Sequence, residues 1–379
     1  MKVLHLISSG GMYGAEVMLM NLVRGLTANE CEAVVGVFHN RQNPQLEVAE
    51  WLRAGGTPVE LIPCAGQVDL EAVRKIRHLI KASGSNIVHS HGYKADIYTF
   101  LATRFSSIPI VSTAHNWTGK SEVPSVYNKL DRLALRWFSR VAAVSDGVAQ
   151  KLRDSGLGSH RIVRISNGVD LALFDAGTPI QTEVRTGVCA TVGVVGRLVK
   201  EKGCDYFLRA VAQVLPRFPG TKFLFIGDGP ERKSLELLTH HLGIHENVVF
   251  LGHCNDMPHM YASLDLCVLP SLLEGMPMTV LEAMAAGKPI IATTVGEIPK
   301  MMDTNVNGLL VPPGNVPELS SAMIQLLSDA SLRQQMGVNA RKKARMRFSA
   351  DAMAQAYIAL YDKLLDHQER PVRATLEQV

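Results

Sequence analysis

The 379-residue sequence predicts an α/β protein built from two doubly wound parallel-sheet domains that face a central cleft. Short apolar runs of strand character alternate with segments of helical periodicity along most of the chain. The alternation breaks once, near Asn167, and then restarts. The length also suits two domains, each of roughly 100 to 200 residues. These observations divide the chain into a first domain at residues 1–170, a linker at 171–186, a second domain at 187–348, and a closing helix and tail at 349–379 that packs back toward the first domain.

The first domain opens with the strand Lys2 to Ser8, the turn SSGGMYG, and a helix whose apolar face carries Val17, Met20, Leu22, Val23 and Leu26. Further strands follow at 33–38 (AVVGVF), 58–62 (PVELI), 86–90 (NIVHS), 108–114 (IPIVSTA) and 140–145 (RVAAVS). Between them, Leu46 to Leu52 is amphipathic, and Val73, Ile76, Leu79 and Ile80 repeat at helical spacing. The stretch after Asn167 holds turn residues and little periodicity, hence the linker. CATVGVVGR then starts the second cycle, whose later strands are KFLFIG, NVVFLG, LDLCVLP and PIIATT. Residues 317–365 are mostly helical.

Composition narrows the function. With 47% hydrophobic and 20% charged residues and ordinary Gly and Pro content, the chain is neither disordered, collagenous nor coiled coil. Residues 1–185 hold 20 Lys and Arg against 16 Asp and Glu, which is the whole net charge of +4; the remainder is neutral. That asymmetry falls short of the basic stripe of a nucleic-acid protein. Most of it lies in Lys120 to Arg140, where basic residues neighbour Trp137 and Phe138. Two readings stand there: contact with an anionic lipid surface, or a solvated face with Trp137 turned to the core. The six cysteines show no metal or disulfide spacing. No signal peptide and no run of about 18 apolar residues is present, so a cytoplasmic protein is expected, with peripheral contact at the inner face of a membrane as the option left by the basic segment.

In doubly wound sheets, ligands bind just beyond the carboxyl ends of the strands. The densest such segment runs from Ser271 to Pro289, SLLEGMPMTVLEAMAAGKP. Gly275 permits close backbone approach, and Pro277 suits a helix's first turn, so a helix is expected from about Met276 with its free N–H groups turned to an anion. Glu274 falls in the loop before it and Glu282 about one and a half turns inside it. A carboxylate can accept both hydrogens of a ribose diol. Taken alone, Glu274 could equally be a cap and Glu282 a solvated helix residue.

This segment resembles the family-4 glycosyltransferases, whose signature is two glutamates separated by seven residues, here E-GMPMTVL-E. GRLVKEKG, FIGDGPER, VVFLGHCNDMPHMYASLDLCVLPS, VGEIPKMM, NGLLVPPGN, VSDGVAQKL and ISNGVD follow the family's order over nearly the whole chain. The resemblance implies the GT-B fold and a retaining, metal-independent transfer of a sugar from a UDP- or GDP-linked donor to a saccharide or lipid-linked hydroxyl acceptor in cell-envelope polysaccharide or glycolipid synthesis. It implies no cofactor, no metal site and no nucleic-acid partner.

Residue by residue, it places Arg197 and Lys202 on the donor diphosphate, Glu282 on the ribose, Glu274 and His115 at the transferred sugar, and the backbone of Gly275, Met276 and Pro277 against sugar and phosphate. Asp256 and Met257 fall in the wall of the base pocket, Gly11 beside the donor, and Gly10, His91 and Asn116 on the acceptor side. The glycine pair departs from the pattern, because Met12, Tyr13 and Gly14 intervene before Ala15 and Glu16. His89 and His91 are expected on opposite faces of their strand, which argues against a joint metal site. A nucleotide-sugar epimerase of the same fold and a non-catalytic nucleotide-sugar binding subunit are the competing readings.

Overall fold

The structure, a computed structural model, describes residues 1–8, 11–39, 46–64, 69–115, 125–175 and 189–369. Gly10, Asn116 and Lys120, named from the sequence, lie outside them. The chain forms two compact units: Met1–Gly168 with the chain from Ala350 onward, and Val169–Ser349.

Unit 1 contains a parallel sheet of seven strands among the described residues: β1 (Lys2–Ser8), β2 (Glu32–His39), β3 (Val59–Pro63), β4 (Ile87–His91), β5 (Ile110–Ala114), β6 (Arg140–Ala143) and β7 (Ile162–Arg164), in the order β3-β2-β1-β4-β5-β6-β7. All five residues of β4 and of β5 are buried, as expected of strands covered on both faces. The order reverses between β1 and β4, which places the residues after β1 and at the end of β4 at the switch point. β7 was not anticipated: three residues are too short to show a period.

Helix α1 (Gly14–Ala28) follows β1, and the Glu16 carboxylate accepts the Tyr13 N–H at the helix start. This accounts for Ala15 and Glu16 standing in the first turn despite the three intervening residues. The C-terminal helix, labelled α15 (Ala350–Glu369) in chain order, packs along α1. Their contact is made close by Gly25, where an added Cβ would stand 2.7 Å from both the Ala350 carbonyl oxygen and the Ala354 Cβ. α15 contributes Tyr357 and Tyr361, fully buried, to unit 1.

Unit 2 contains the parallel strands β8 (Ala190–Val195), β9 (Thr221–Ile226), β10 (Val248–Gly252), β11 (Leu266–Leu269), β12 (Ile290–Thr293) and β13 (Leu309–Val311), in the order β10-β9-β8-β11-β12-β13. Phe207, Phe223 and Phe225 meet edge to face in its core, each burial contributing roughly 1.5–3 kcal/mol. The residues read as a linker begin otherwise: Leu171–Asp175 is a helix, α7, packed within unit 2, where Phe174 meets Tyr261 edge on and Asp175 pairs with Arg341. One turn of helix is too short for periodicity to reveal it. Residues 176–186 of that segment are outside the described ones.

Gly25→Val should force α1 and α15 apart, because neither the backbone carbonyl nor the Ala354 Cβ can yield freely. A loss of about 1–3 kcal/mol is expected. Thermal denaturation, together with faster amide exchange confined first to α15, measures it.

Candidate active site

In unit 2 the switch point lies between β8 and β11. Arg197 stands two residues beyond β8 and is exposed. A 3₁₀ turn at Lys200–Lys202 follows, then Gly203 in the left-handed region at φ 61°, then α8 (Cys204–Val214). A Cβ on Gly203 would be 2.2 Å from the Pro270 carbonyl oxygen, so only glycine allows this loop to lie against the loop leaving β11. The Leu272 N–H donates to the Glu201 carbonyl at 2.7 Å and ties the two loops.

The tie sets Lys202 against Glu274. Lys202 Nζ donates to Glu274 Oε1 at 2.6 Å, and the Ser271 hydroxyl donates to the same oxygen at 2.7 Å. The Glu274 side chain is only 8% exposed, against 23% for Lys202, so the carboxylate is held by its partners while the ammonium keeps an outlet. The loop after β12 braces the other side. Gly296, at φ 57°, has the Glu274 carbonyl oxygen 2.4 Å from where its Cβ would be, and the Glu297 N–H donates to the Gly275 carbonyl at 2.9 Å. Gly296 was missed in the sequence, although glycine between two apolar segments is a recognisable signal of close approach.

The helix after this loop, α11, spans Met278–Ala285, two residues later than expected, with Pro277 extended at its N-cap. Proline disfavours helical geometry in the residue before it, which keeps Met276 out of the helix. Glu282 lies inside α11 and is buried; burial pushes its carboxyl up to about 7, partly offset by a hydrogen bond from the Tyr261 hydroxyl at 2.9 Å. Tyr261, on α10 (Met257–Ala262), is a second residue the sequence reading passed over; its signal is a tyrosine on an apolar face, whose hydroxyl must find a partner when buried. At the start of α10 the Asp256 carboxylate caps the helix, accepting the His259 N–H, and also contacts His259 Nδ1 at 2.7 Å. Met257 opens that helix.

In unit 1, Gly11 lies between β1 and α1 at φ 131°. His91 ends β4 and His115 directly follows β5; His91 Nδ1 and His115 Nε2 are 3.4 Å apart. His89 and His91 are not on opposite faces. Residues two apart in a strand share a face, and their ring centroids are 4.3 Å apart. His5 on β1 pairs in register with His89 and joins them, so that nitrogens of His5, His89 and His91 lie within 4.8 Å of one another. His89 is bound on both sides, Nδ1 to the Tyr361 hydroxyl at 2.6 Å and Nε2 to Thr113 Oγ1 at 2.7 Å. Burial lowers all these imidazoles, His5 to about 3 and His115 to about 4, and holds them neutral near pH 7.

Asp131 of α5 (Ser125–Leu135) is buried, while Lys129, Leu130, Arg132, Leu133, Arg136 and Trp137 are exposed at helical spacing. Trp137 therefore does not turn to the core; Phe138 does.

The lowered imidazoles take up protons only on unfolding, so their stabilisation is complete above about pH 6.5 and is lost as pH falls toward 4. Each contributes a slope of up to about 1.4 kcal/mol per pH unit. Tm should fall between pH 6.5 and 5, and His5→Phe should flatten that slope; scanning calorimetry over this range reads both.

The family model for glycosyl transferases group 1 matches residues 189–343, and that for glycosyltransferase family 4 matches residues 12–173. The chain is 27% identical over 315 residues to an alpha-D-kanosaminyltransferase of Streptomyces kanamyceticus, covering 78% of this chain and 81% of that one. It is 29% identical over 330 residues to a phosphatidyl-myo-inositol mannosyltransferase of Mycolicibacterium smegmatis, covering 84% and 83%. The structure of Anabaena HepE in complex with UDP-glucose has the same fold, with a TM-score of 0.83 at 24% identity over 96% of this chain and 99% of that one. With both units matched and the paired glutamates standing at a switch point, the chain belongs to the family-4, group 1 glycosyltransferases and has their two-domain GT-B fold.

Proposed function

We propose that this glycosyltransferase moves a sugar from a UDP-linked donor to a hydroxyl of a saccharide or lipid-linked acceptor, with retention of anomeric configuration, without a metal and without a cofactor, in assembly of cell-envelope polysaccharide or glycolipid. The Lys202–Glu274 pair at the switch point carries this reading. A leaving nucleoside diphosphate concentrates negative charge, and a cation near 4 Å offsets about 4 kcal/mol at an effective dielectric of 20 before desolvation is counted. Arg197 and Lys202 supply two such cations, which is the role a metal would otherwise fill. Glu282, once ionised, accepts the two ribose hydroxyls. Gly275, Met276 and Pro277 offer backbone to sugar and phosphate, and Asp256 and Met257 border the base. Of unit 1, the family resemblance assigns Gly11 to the diphosphate, His115 to the transferred sugar and His91 to the acceptor.

In the step itself the bond from the anomeric carbon to the phosphate oxygen breaks, and the acceptor oxygen bonds to the same face. The acceptor proton passes to the departing phosphate. A UDP donor is favoured over GDP because the similar Anabaena protein binds UDP-glucose, and a lipid-linked acceptor accords with the mannosyltransferase named for phosphatidyl-myo-inositol. The exposed face of α5, with Leu130, Leu133 and Trp137 among Lys129, Arg132 and Arg136, suits the anionic inner face of a membrane where such an acceptor resides. No helix among the described residues is long and apolar enough to cross a membrane.

Lys202→Ala should weaken UDP binding by tenfold or more, about 1.4 kcal/mol, in isothermal titration calorimetry at pH 8. Glu282→Gln should weaken it at pH 8 but little at pH 6, where the Glu282 carboxyl is largely protonated and the variant's amide is neutral as well; the ratio of the two affinities cancels the titration of UDP itself. With an α-linked donor in EDTA, NMR should report an α-linked product. A β-linked product, or turnover lost to EDTA, would sink the retaining, metal-independent reading.

The membrane reading is checked by sedimentation with vesicles. Binding should require phosphatidylglycerol, fall steeply with salt, and be lost in Trp137→Ala combined with Arg132→Glu. Equal binding to phosphatidylcholine vesicles would reject it.

A further inference from the structure

Three imidazoles of unit 1 are joined end to end. His5 Nδ1 is 3.2 Å from His91 Nε2, and His91 Nδ1 is 3.4 Å from His115 Nε2. His5 and His91 are buried, and His115 is half-buried. The neighbouring His89 stands outside this row, with both nitrogens committed to hydroxyls of Tyr361 and Thr113. A metal bound by His5, His89 and His91 would have to break one of those short bonds, so the geometry favours a row of protons over a shared ion.

We propose that His5 and His91 are positioning residues that fix the tautomer of His115, leaving its Nε2 bare and its single N–H at Nδ1 to donate to a hydroxyl of the transferred sugar. This rests on the assignment of His115 to that sugar. The direction of the row follows from its buried end. His5 Nε2 is buried and has no hydrogen-bond partner. An orphaned N–H there costs more than an orphaned lone pair, so the His5 proton sits on Nδ1 and donates to His91 Nε2. His91 is then left with its proton on Nδ1 and donates it to His115 Nε2. A neutral His115 accepting at Nε2 carries its own proton on Nδ1. Each imidazole in the row has one proton and one choice of where to hold it, and that choice is made at His5.

The test uses the full chain with ¹⁵N-labelled histidine and long-range ¹H–¹⁵N correlation at pH 7.5. His5, His91 and His115 should all appear as Nδ1–H tautomers. His91→Phe should turn His115 into a mixture of tautomers and lower kcat by about tenfold or more, the donor KM changing little. His91→Asn places an amide N–H where Nδ1–H was; it should restore the His115 tautomer and most of kcat, which His91→Gln, mimicking the other nitrogen, should not. An Nε2–H His115 in the parent chain, an unchanged His115 signal in His91→Phe, or zinc displacing the His89 hydroxyl contacts at micromolar level would overturn the relay. Tautomers as expected, in a chain whose His115→Ala variant turns over donor normally, would uphold the relay and overturn the assignment of His115 to the sugar.

Discussion

The second unit of this protein depends on one close approach, that of Gly203 to the carbonyl oxygen of Pro270. The loop leaving β8 carries the cations, and the loop leaving β11 carries the glutamate. Parallel pairing of β8 with β11 brings the two loops to the same end of the sheet, where a side chain at position 203 would still hold them apart. Removal of that side chain lets backbone meet backbone, after which Leu272 hydrogen-bonds Glu201 and Lys202 reaches Glu274. Gly296 repeats the device on the far side of Glu274. A charged pair held this way is pre-organised: its desolvation is met during folding.

Unit 1 is organised on a different principle. Its buried centre is polar, with His5, His89, His91 and Thr113 on adjacent strands, capped by the hydroxyls of Tyr357 and Tyr361 from the last helix of the chain. Buried imidazoles are tolerated because they stay neutral and because nearly every nitrogen has a partner. The exception, His5 Nε2, gives the row its direction. The C-terminal helix is thus part of the first unit's interior, and the narrow seat that Gly25 leaves for it serves the polar centre as well as the apolar core.

Much of this was legible in the sequence, and the failures have physical causes. Strands of five or more residues buried on both faces declare themselves as apolar runs, whereas β7 and β13, three residues each, carry no period to read. Pro277 marked the start of α11, but the proline rule bears on the preceding residue and moves the helix boundary past Met276. Glu274 and Glu282 were legible from their place just beyond a strand and from the resemblance of their segment to the family's signature. Tyr261 and Gly296 were not, since each acts on a glutamate from a different part of the chain. The pair His89 and His91 was assigned to opposite faces although a two-residue step returns to the same face. In the basic segment, spacing did not decide which residues face inward, and burial places Asp131 and Phe138 inside and Trp137 outside.

The sequence by itself determined the α/β class and the two parallel sheets, because apolar runs and helical periodicity are local properties of the chain, and it singled out the cations and carboxylates of the loops after β8 and β11 through their resemblance to the family's motifs. Only the tertiary structure decided which of these groups touch. Lys202 and Glu274 are 72 positions apart, and His5 and His91 are 86 apart. Whether such groups come within hydrogen-bond distance depends on strand order and on the few glycines that let two backbones meet.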